Sequence, residues 1–277
     1  MSTAPHYLFT GRTGQKLGDT LLKDGAVMDG LWCSFNDCHM IELAQYTAEK
    51  AGLKREELDA FSAASHRKAA AAWAACYFSK EVVPVTIPQR KGDPIVVSKD
   101  ESIRADTTPE GLAKLPAVTK DRGGMITAGN APGLNDGGAA LVLMSGERVK
   151  QKGAKPLARV IAYSTGGGEP KDLFFAPIDA VEKLLKKMSV RIDHFDLIEA
   201  NEAFAAQALA DGNALGWDWD RVNVYGGAVA LGHPIGASGA RVLVTLLNAL
   251  EQRGKKTGLA TLCLGGGNAV ALAVERV

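Results

Sequence analysis

Glycine is bunched in the second part of this sequence, and every bunch borders an apolar run. The clusters fall at Gly123–Gly138, Gly166–Gly168, Gly226–Gly239 and Gly265–Gly267. A residue without a Cβ supplies positive φ, or lets a backbone come close to another backbone or a ligand. At the ends of apolar runs, such residues make the loops that join strands to their neighbours. Leu157–Tyr163, Phe195–Ala200, Val222–Val224, Leu259–Leu264 and Ala269–Val274 read as strands. Between them lie helical patterns: one opening at Pro177, one over Glu202–Ala210, and one over 237–253 closed by Gly254. Strand and helix in alternation predict an α/β layered fold.

The first 120 residues are different in kind. Met40, Leu43, Ala44, Thr47, Ala48 and Ala51 recur at helical spacing, with Gly52 where the helix should end. A second helix is expected from Lys54 to Tyr77, with Leu58, Phe61, Ala69, Ala72 and Cys76 on one stripe. Val82–Val85 and Pro94–Val97 are extended segments around a Gln89–Gly92 turn. A faint internal echo follows: Thr127–Gly129 through an apolar strand at Gly138–Met144 repeats the pattern of Thr261–Val274. The composition shift near residue 124 marks a domain boundary.

Charge narrows the function classes. With 32 Lys+Arg against 31 Asp+Glu, the formal charge of +1 argues against nucleic acid or a membrane surface as partner. No run approaches a bilayer-spanning length, and Met1–Gly11 has no leader-like pattern. Four cysteines in 277 residues point to a reducing compartment, the cytoplasm, rather than to a disulfide framework.

Three stretches could carry chemistry. In Gly232-His233-Pro234-Ile235-Gly236, proline keeps His233 out of the α region, on a loop just before a helix. The positive end of that helix favours neutral imidazole, which can act as a base or donate to an oxyanion. The same residues could also simply make a turn. Cys263 ends an apolar run ahead of Gly265-Gly266-Gly267, whose N–H groups could form an oxyanion hole. A small buried hydrophobe is the competing reading. Asn201 follows a strand and either caps the next helix or holds a water in the site. Cys33 and Cys38 beside His39 fit no usual zinc spacing, so no metal is assigned. Cys76 is read as core, and Gly166–Gly168 carries no phosphate-loop pattern.

In order, Asn201-Glu202-Ala203-Phe204-Ala205-Ala206-Gln207, Gly226–Arg241 and Cys263-Leu264-Gly265-Gly266-Gly267 resemble the three C-terminal motifs of the thiolase family. Thr127–Gly138, Cys38-His39-Met40 and Ala4-Pro5-His6 extend the resemblance over essentially the whole chain. It implies acyl-CoA acyltransfer: thiolytic cleavage of 3-ketoacyl-CoA, or the reverse condensation of acetyl-CoA, through an acyl-cysteine. It implies His233 as activator of the nucleophile, Asn201 holding a water, Cys263 as acid/base and the Gly265 N–H in an oxyanion hole. Leu31, His39, Met40, Ala128, Ala203 and Phe204 match positions lining the CoA pocket. Pro132 stands where many members have a serine, and Val118 where many have a phenylalanine. CoA is implied as cosubstrate, with no separate cofactor, and an oligomer is implied as the assembly.

None of the four cysteines matches the family's nucleophile, which precedes the motif matched by Met1–His6. The resemblance therefore implies a chain lacking the N-terminal third and inactive alone. On that reading, 1–124 is a CoA-facing lid, 125–150 a remnant of the N-terminal half, and 151–277 a complete C-terminal half. A fragment, one subunit whose partner chain supplies the missing third, and a non-catalytic CoA-binding relic or assembly subunit are the competing accounts. A decarboxylating ketoacyl synthase fits poorly, because it would need His or Asn where Cys263 stands.

Overall fold

The computed structural model describes residues 1–119 and 123–277. The expected lid, 1–124, thus includes three residues outside those described. Near the start, β1 (His6–Tyr7) pairs antiparallel with β2 (Lys23–Asp24), and a single π-helical turn over Ala26–Leu31 follows. β3 (Trp32–Cys33) and β4 (Cys38–His39) form a short hairpin that delivers the chain into α1 (Met40–Lys50). His39 caps this helix: its Nδ1 accepts from the Ile41 N–H, while Glu42 accepts from the His39 N–H. That reciprocal pattern is a capping box with imidazole in place of the usual hydroxyl.

α2 (Arg55–Ala74) is as sequence spacing predicts, but it stops short of Tyr77. Cys76 lies beyond it, exposed and at φ +57°, so its reading as a core residue is corrected. β5 (Val85–Ile87) and β6 (Ile95–Val97) pair around the expected turn, and α3 (Pro109–Ala113) and α4 (Gly146–Lys152) are short.

The α/β character resides in the remainder: β7 (Ala158–Gly167), α5 (Ala176–Met188), β8 (Leu197–Ala200), α6 (Ala205–Leu215), α7 (Ala228–Leu231), α8 (Ser238–Gln252), β9 (Thr257–Leu264) and β10 (Asn268–Arg276). The sheet order is β7-β10-β9-β8, with only β8 and β9 parallel. Val222 adds a single parallel bridge beside Ile198 where a full strand, Val222–Val224, was expected. Side-chain alternation assigns the two faces. Leu259 joins Ala180, Val181 and Leu184 of α5, whereas its neighbour Ala260 joins Val242 and Leu246 of α8. α5 can lie close because its side of the sheet is lined by Ala162, Ala269, Ala271 and Ala273. At Gly166, even a Cβ would stand 2.6 Å from backbone atoms of α5. A third cluster joins α1, α2 and α6 through Leu43, Leu58, Ala206 and Ala210.

One expected strand is not formed. Residues 132–145 contain no helix or strand, and Val142 and Leu143 are 87% and 73% exposed. The apolar pattern at Gly138–Met144 is real, but no described strand lies beside it to satisfy its backbone, and a strand needs a partner. The echo of Thr261–Val274 accordingly has no structural counterpart here.

Candidate active site

Positions 232–238 form a tight turn into α8, and the turn is held from outside. Gly232 has φ +97° and ψ 163°, a conformation open to glycine alone. A Cβ there would sit 2.3 Å from Asn135 Oδ1. The His233 N–H donates to the Gly133 carbonyl at 3.3 Å, and Gly137 lies flat against the Pro234 ring. The Gly133–Gly137 loop therefore grips the histidine turn at three points.

Hydrogen bonding fixes the ring's tautomer. Ser238 Oγ has one proton, and it is directed to the Pro234 carbonyl at 3.1 Å. The 2.6 Å contact between Ser238 Oγ and His233 Nδ1 must then be donated by the imidazole. In a neutral ring that leaves Nε2 as the acceptor, facing the Asn201 amide nitrogen at 3.3 Å. Neutrality follows from the surroundings as well: burial, helped by the Arg241 charge, lowers His233 to about 4. His233 is thus an uncharged imidazole whose Nε2 lone pair faces the site.

Asn201 follows directly on β8, and its N–H donates to the Thr261 carbonyl of β9 at 3.0 Å. It does not cap the next helix. Residues 201–204 form an extra passage before α6, whose capping position is Phe204. The cap reading is corrected. Its Oδ1 is buried without a hydrogen-bond partner among the described residues. Glu202, next along, is a buried hub that accepts from Ser65 Oγ, Asn223 Nδ2 and the Val229 N–H.

Cys263 lies near the end of β9, level with Ala269 of β10. Since β8 and β9 run parallel, Asn201 and Cys263 emerge at the same carboxyl-end edge, the usual place for ligands in such sheets. The thiol is half-buried and pushed up to about 12, chiefly by burial and then by the charge of Asp211. It is therefore a thiol at neutral pH. Gly265 is exposed, and Gly266 and Gly267 turn the chain at φ +74° and +84° into β10. A Cβ on Gly266 would stand 3.4 Å from the Phe35 ring, so the β3–β4 loop borders this turn.

The expected CoA-lining residues divide into two groups. Met40, Ala203 and Phe204 share one apolar cluster with Cys263. Phe204 is buried edge-on against Phe174 at 5.3 Å. Leu31 ends the π-helical turn and His39 is the α1 cap, so His39 already has a structural duty. Ala128 is exposed on the loop after the Ala117–Thr127 bridge. Gly30 connects these regions, since a Cβ on it would meet Ile235 of the histidine turn at 3.5 Å. No group of three metal-ligating side chains occurs among the described residues. Ser238 and Asn135 went unread in the sequence. Ser238 could have been found from its place five residues after His233, at the first position of α8.

Two family models account for nearly the entire chain. The thiolase N-terminal domain matches residues 1–147 and the thiolase C-terminal domain matches residues 154–276. The chain belongs to the thiolase family. Because the N-terminal match begins at residue 1, that domain is not confined to a remnant at 125–150, and the expectation is corrected. An acetyl-CoA acetyltransferase of Allochromatium vinosum is 52% identical over all of this chain and 70% of its own length. One from Pseudomonas aeruginosa is 53% identical with the same coverage. A beta-ketoadipyl-CoA thiolase of Acinetobacter baylyi is 49% identical, again across 70% of its length. Among thiolase structures, the crystal structure of the Bacillus anthracis acetyl-CoA acetyltransferase superposes with a TM-score of 0.95 at 45% identity. It covers all of this chain and 69% of that one. No helix among the described residues is long and apolar enough to cross a membrane.

Proposed function

We propose that this chain contributes the proton-handling groups of a thiolase-type acyltransferase acting on acetyl-CoA and 3-ketoacyl-CoA, with CoA as cosubstrate. The observation carrying the reading is His233: a neutral ring whose Nε2 acceptor faces Asn201. The substrate class is supported by relatives named acetyl-CoA acetyltransferase.

In thiolysis, a cysteine thiol gives its proton to His233 Nε2, and the thiolate attacks the 3-keto carbon. The carbon–carbon bond breaks, and the leaving acetyl-CoA enolate takes the proton of Cys263. A thiol with a high proton affinity suits the transfer to so basic a carbanion. The Cys263 thiolate next takes the proton of incoming CoA, whose sulfur attacks the acyl-cysteine. The released cysteine recovers its proton from His233. Oxyanions would meet the Gly265 N–H and a water held by Asn201 Oδ1. Every step is a proton or acyl transfer, so the chemistry needs no further cofactor. Met40, Ala203 and Phe204 form the floor of the pantetheine site beside Cys263, with Leu31 and His39 of the region 1–124, and Ala128 just beyond it, nearer its mouth.

The nucleophile itself is supplied by polypeptide outside these 277 residues, in the portion of the relatives that this chain does not span. Both ring nitrogens of His233 are engaged by Asn201 and Ser238. An apolar groove bordered by Tyr163, Thr165, Leu243, Leu262 and Leu272 lies beside α8. The purified chain is expected to show negligible thiolysis of acetoacetyl-CoA. Supplying the unmatched portion of the Allochromatium relative, fused or co-expressed, should restore it. His233→Ala should then remove about 10²–10⁴-fold of the rate. Robust activity of the chain alone would refute the external nucleophile, and silence of the complemented protein would refute the assignment.

A further inference from the structure

Cys33 and Cys38 have no part in the reaction above, and the fold sets them opposite each other. β3 and β4 pair antiparallel with Trp32 against His39 and Cys33 against Cys38. Directly opposed residues of such a pair point to one face. Their Cα atoms lie about 4.5 or 5.5 Å apart, and both spacings fall within the roughly 4.4–6.8 Å that a disulfide spans. Both side chains accordingly pack on one apolar cluster, Cys33 buried within it and Cys38 at its half-buried margin. Both are thiols.

The hairpin is built to hold that register. Its loop, Ser34–Asp37, is pinned by two side-chain bonds: Trp32 Nε1 donates to Asp37 Oδ1 at 3.2 Å, and Asn36 Nδ2 donates to Cys33 Sγ at 3.2 Å. Asp37 closes the turn at φ +49°. The bond from Asn36 has a chemical effect as well, because a donor aimed at sulfur favours its thiolate.

We propose that Cys33 and Cys38 form a reversible thiol–disulfide site whose oxidant is a small disulfide of the glutathione class, with Cys38 as the entry thiol and Cys33 as the resolving one. The Cys38 thiolate attacks one sulfur of the small disulfide, whose S–S bond breaks. A mixed disulfide forms on Cys38 and the first small thiolate leaves. The Cys33 thiolate then attacks the Cys38 sulfur, and the second small thiolate leaves. The protons given up by the two cysteines return to the two released thiols, so a pair of protein thiols is oxidised as one small disulfide is reduced. Entry falls to Cys38 because it is the less buried of the two, and Cys33 need not reach solvent, since the sulfur it attacks stands across the hairpin. The same loop carries Phe35 to the Gly266 turn, and β4 runs directly into the α1 cap at His39. The bond is thus made on the border of the candidate active site without using His233, Asn201 or Cys263.

The test incubates the folded 277-residue chain with oxidised glutathione, quenches with iodoacetamide and digests with trypsin without reductant. Cys33 and Cys38 fall in one tryptic peptide, Asp24–Lys50. This peptide should accumulate with neither cysteine labelled and lighter by two hydrogens, and should revert on adding reduced glutathione. Cys33→Ala should halt the reaction at a glutathione adduct on Cys38. Cys38→Ser, at the half-buried position, should slow loss of the Cys33 thiol by roughly tenfold or more, because the entry thiol is gone. Circular dichroism matching the parent admits each variant to the comparison. Alkylation of both cysteines in the parent, stable glutathione adducts on them, or a bond from Asp24–Lys50 to the Cys263 peptide Thr257–Arg276 would each overturn the proposal. Turnover is not measured, so the outcome stands apart from that of the acyltransfer reading.

Discussion

Glu199 is a carboxyl group enclosed in the interior of the sheet. It sits in β8, fully buried, with both carboxylate oxygens unpartnered among the described residues. Burial raises it from 4.5 to about 8, with the nearby Arg241 charge only partly compensating. A raised carboxyl favours the folded state below its unfolded value of 4.5, and that benefit is lost as pH climbs through about 8. Glu199→Gln should therefore be more stable than the parent at pH 8, on the order of 3–5 kcal/mol, with the gap closing towards pH 4.5. His233 acts in the opposite sense: being lowered, it removes stability as pH falls from 6.5 towards about 4. Subtracting parent from variant cancels that contribution. Urea unfolding curves across pH 4–8 decide the matter, and equal stability at both ends would count against a neutral Glu199.

Among elements, the histidine turn has the least room for error. Gly232 combines a glycine-only backbone angle with direct contact against Asn135, whose Nδ2 donates to Ser102 at 3.0 Å. Gly232→Ala must both strain the backbone, at about 1–3 kcal/mol, and displace that amide. A fall in unfolding free energy of at least this size is expected from chemical denaturation, with loss of the 2.6 Å His233–Ser238 bond visible in the imidazole NMR resonances.

Much of this level was readable from the sequence. The strands β7, β9 and β10 and the helices α1, α5 and α8 follow from period and from Gly52, Pro177 and Gly254 at their ends. Asn201 and His233, singled out from separate motif stretches, stand 3.3 Å apart in the fold. What failed depended on neighbours far along the chain. Asn201 is drawn away from capping by its bond to Thr261, and Gly138–Met144 has the composition of a strand but nothing to pair with. Asp211 and Glu199 escaped notice because a single acid within an apolar run says nothing about which residues surround it.

For the whole molecule, the distribution of apolar surface is the outstanding property. Val142, Leu143, Leu157 and Tyr163 are all more than half exposed, on the segment before β7 and on β7 itself, an edge strand. Exposed apolar surface beside an unpaired edge promotes association. The isolated chain should therefore elute from a sizing column as concentration-dependent oligomers. Val142→Asp with Leu143→Asp should shift it towards monomer while changing unfolding free energy by no more than about 0.5 kcal/mol. An unchanged elution profile would place the sticky surface elsewhere.

Glu202 joins what the family models divide. Its carboxylate is held by Ser65 from α2 within the N-terminal match, and by Asn223 and Val229 within the C-terminal match. Gly227 closes over it so tightly that a Cβ would stand 2.2 Å from its carboxyl carbon. Pulling the two regions apart would strand a charge in an apolar interior, so neither can melt while the other persists. Recombining either one with a homologue's counterpart means inheriting both sides of this joint.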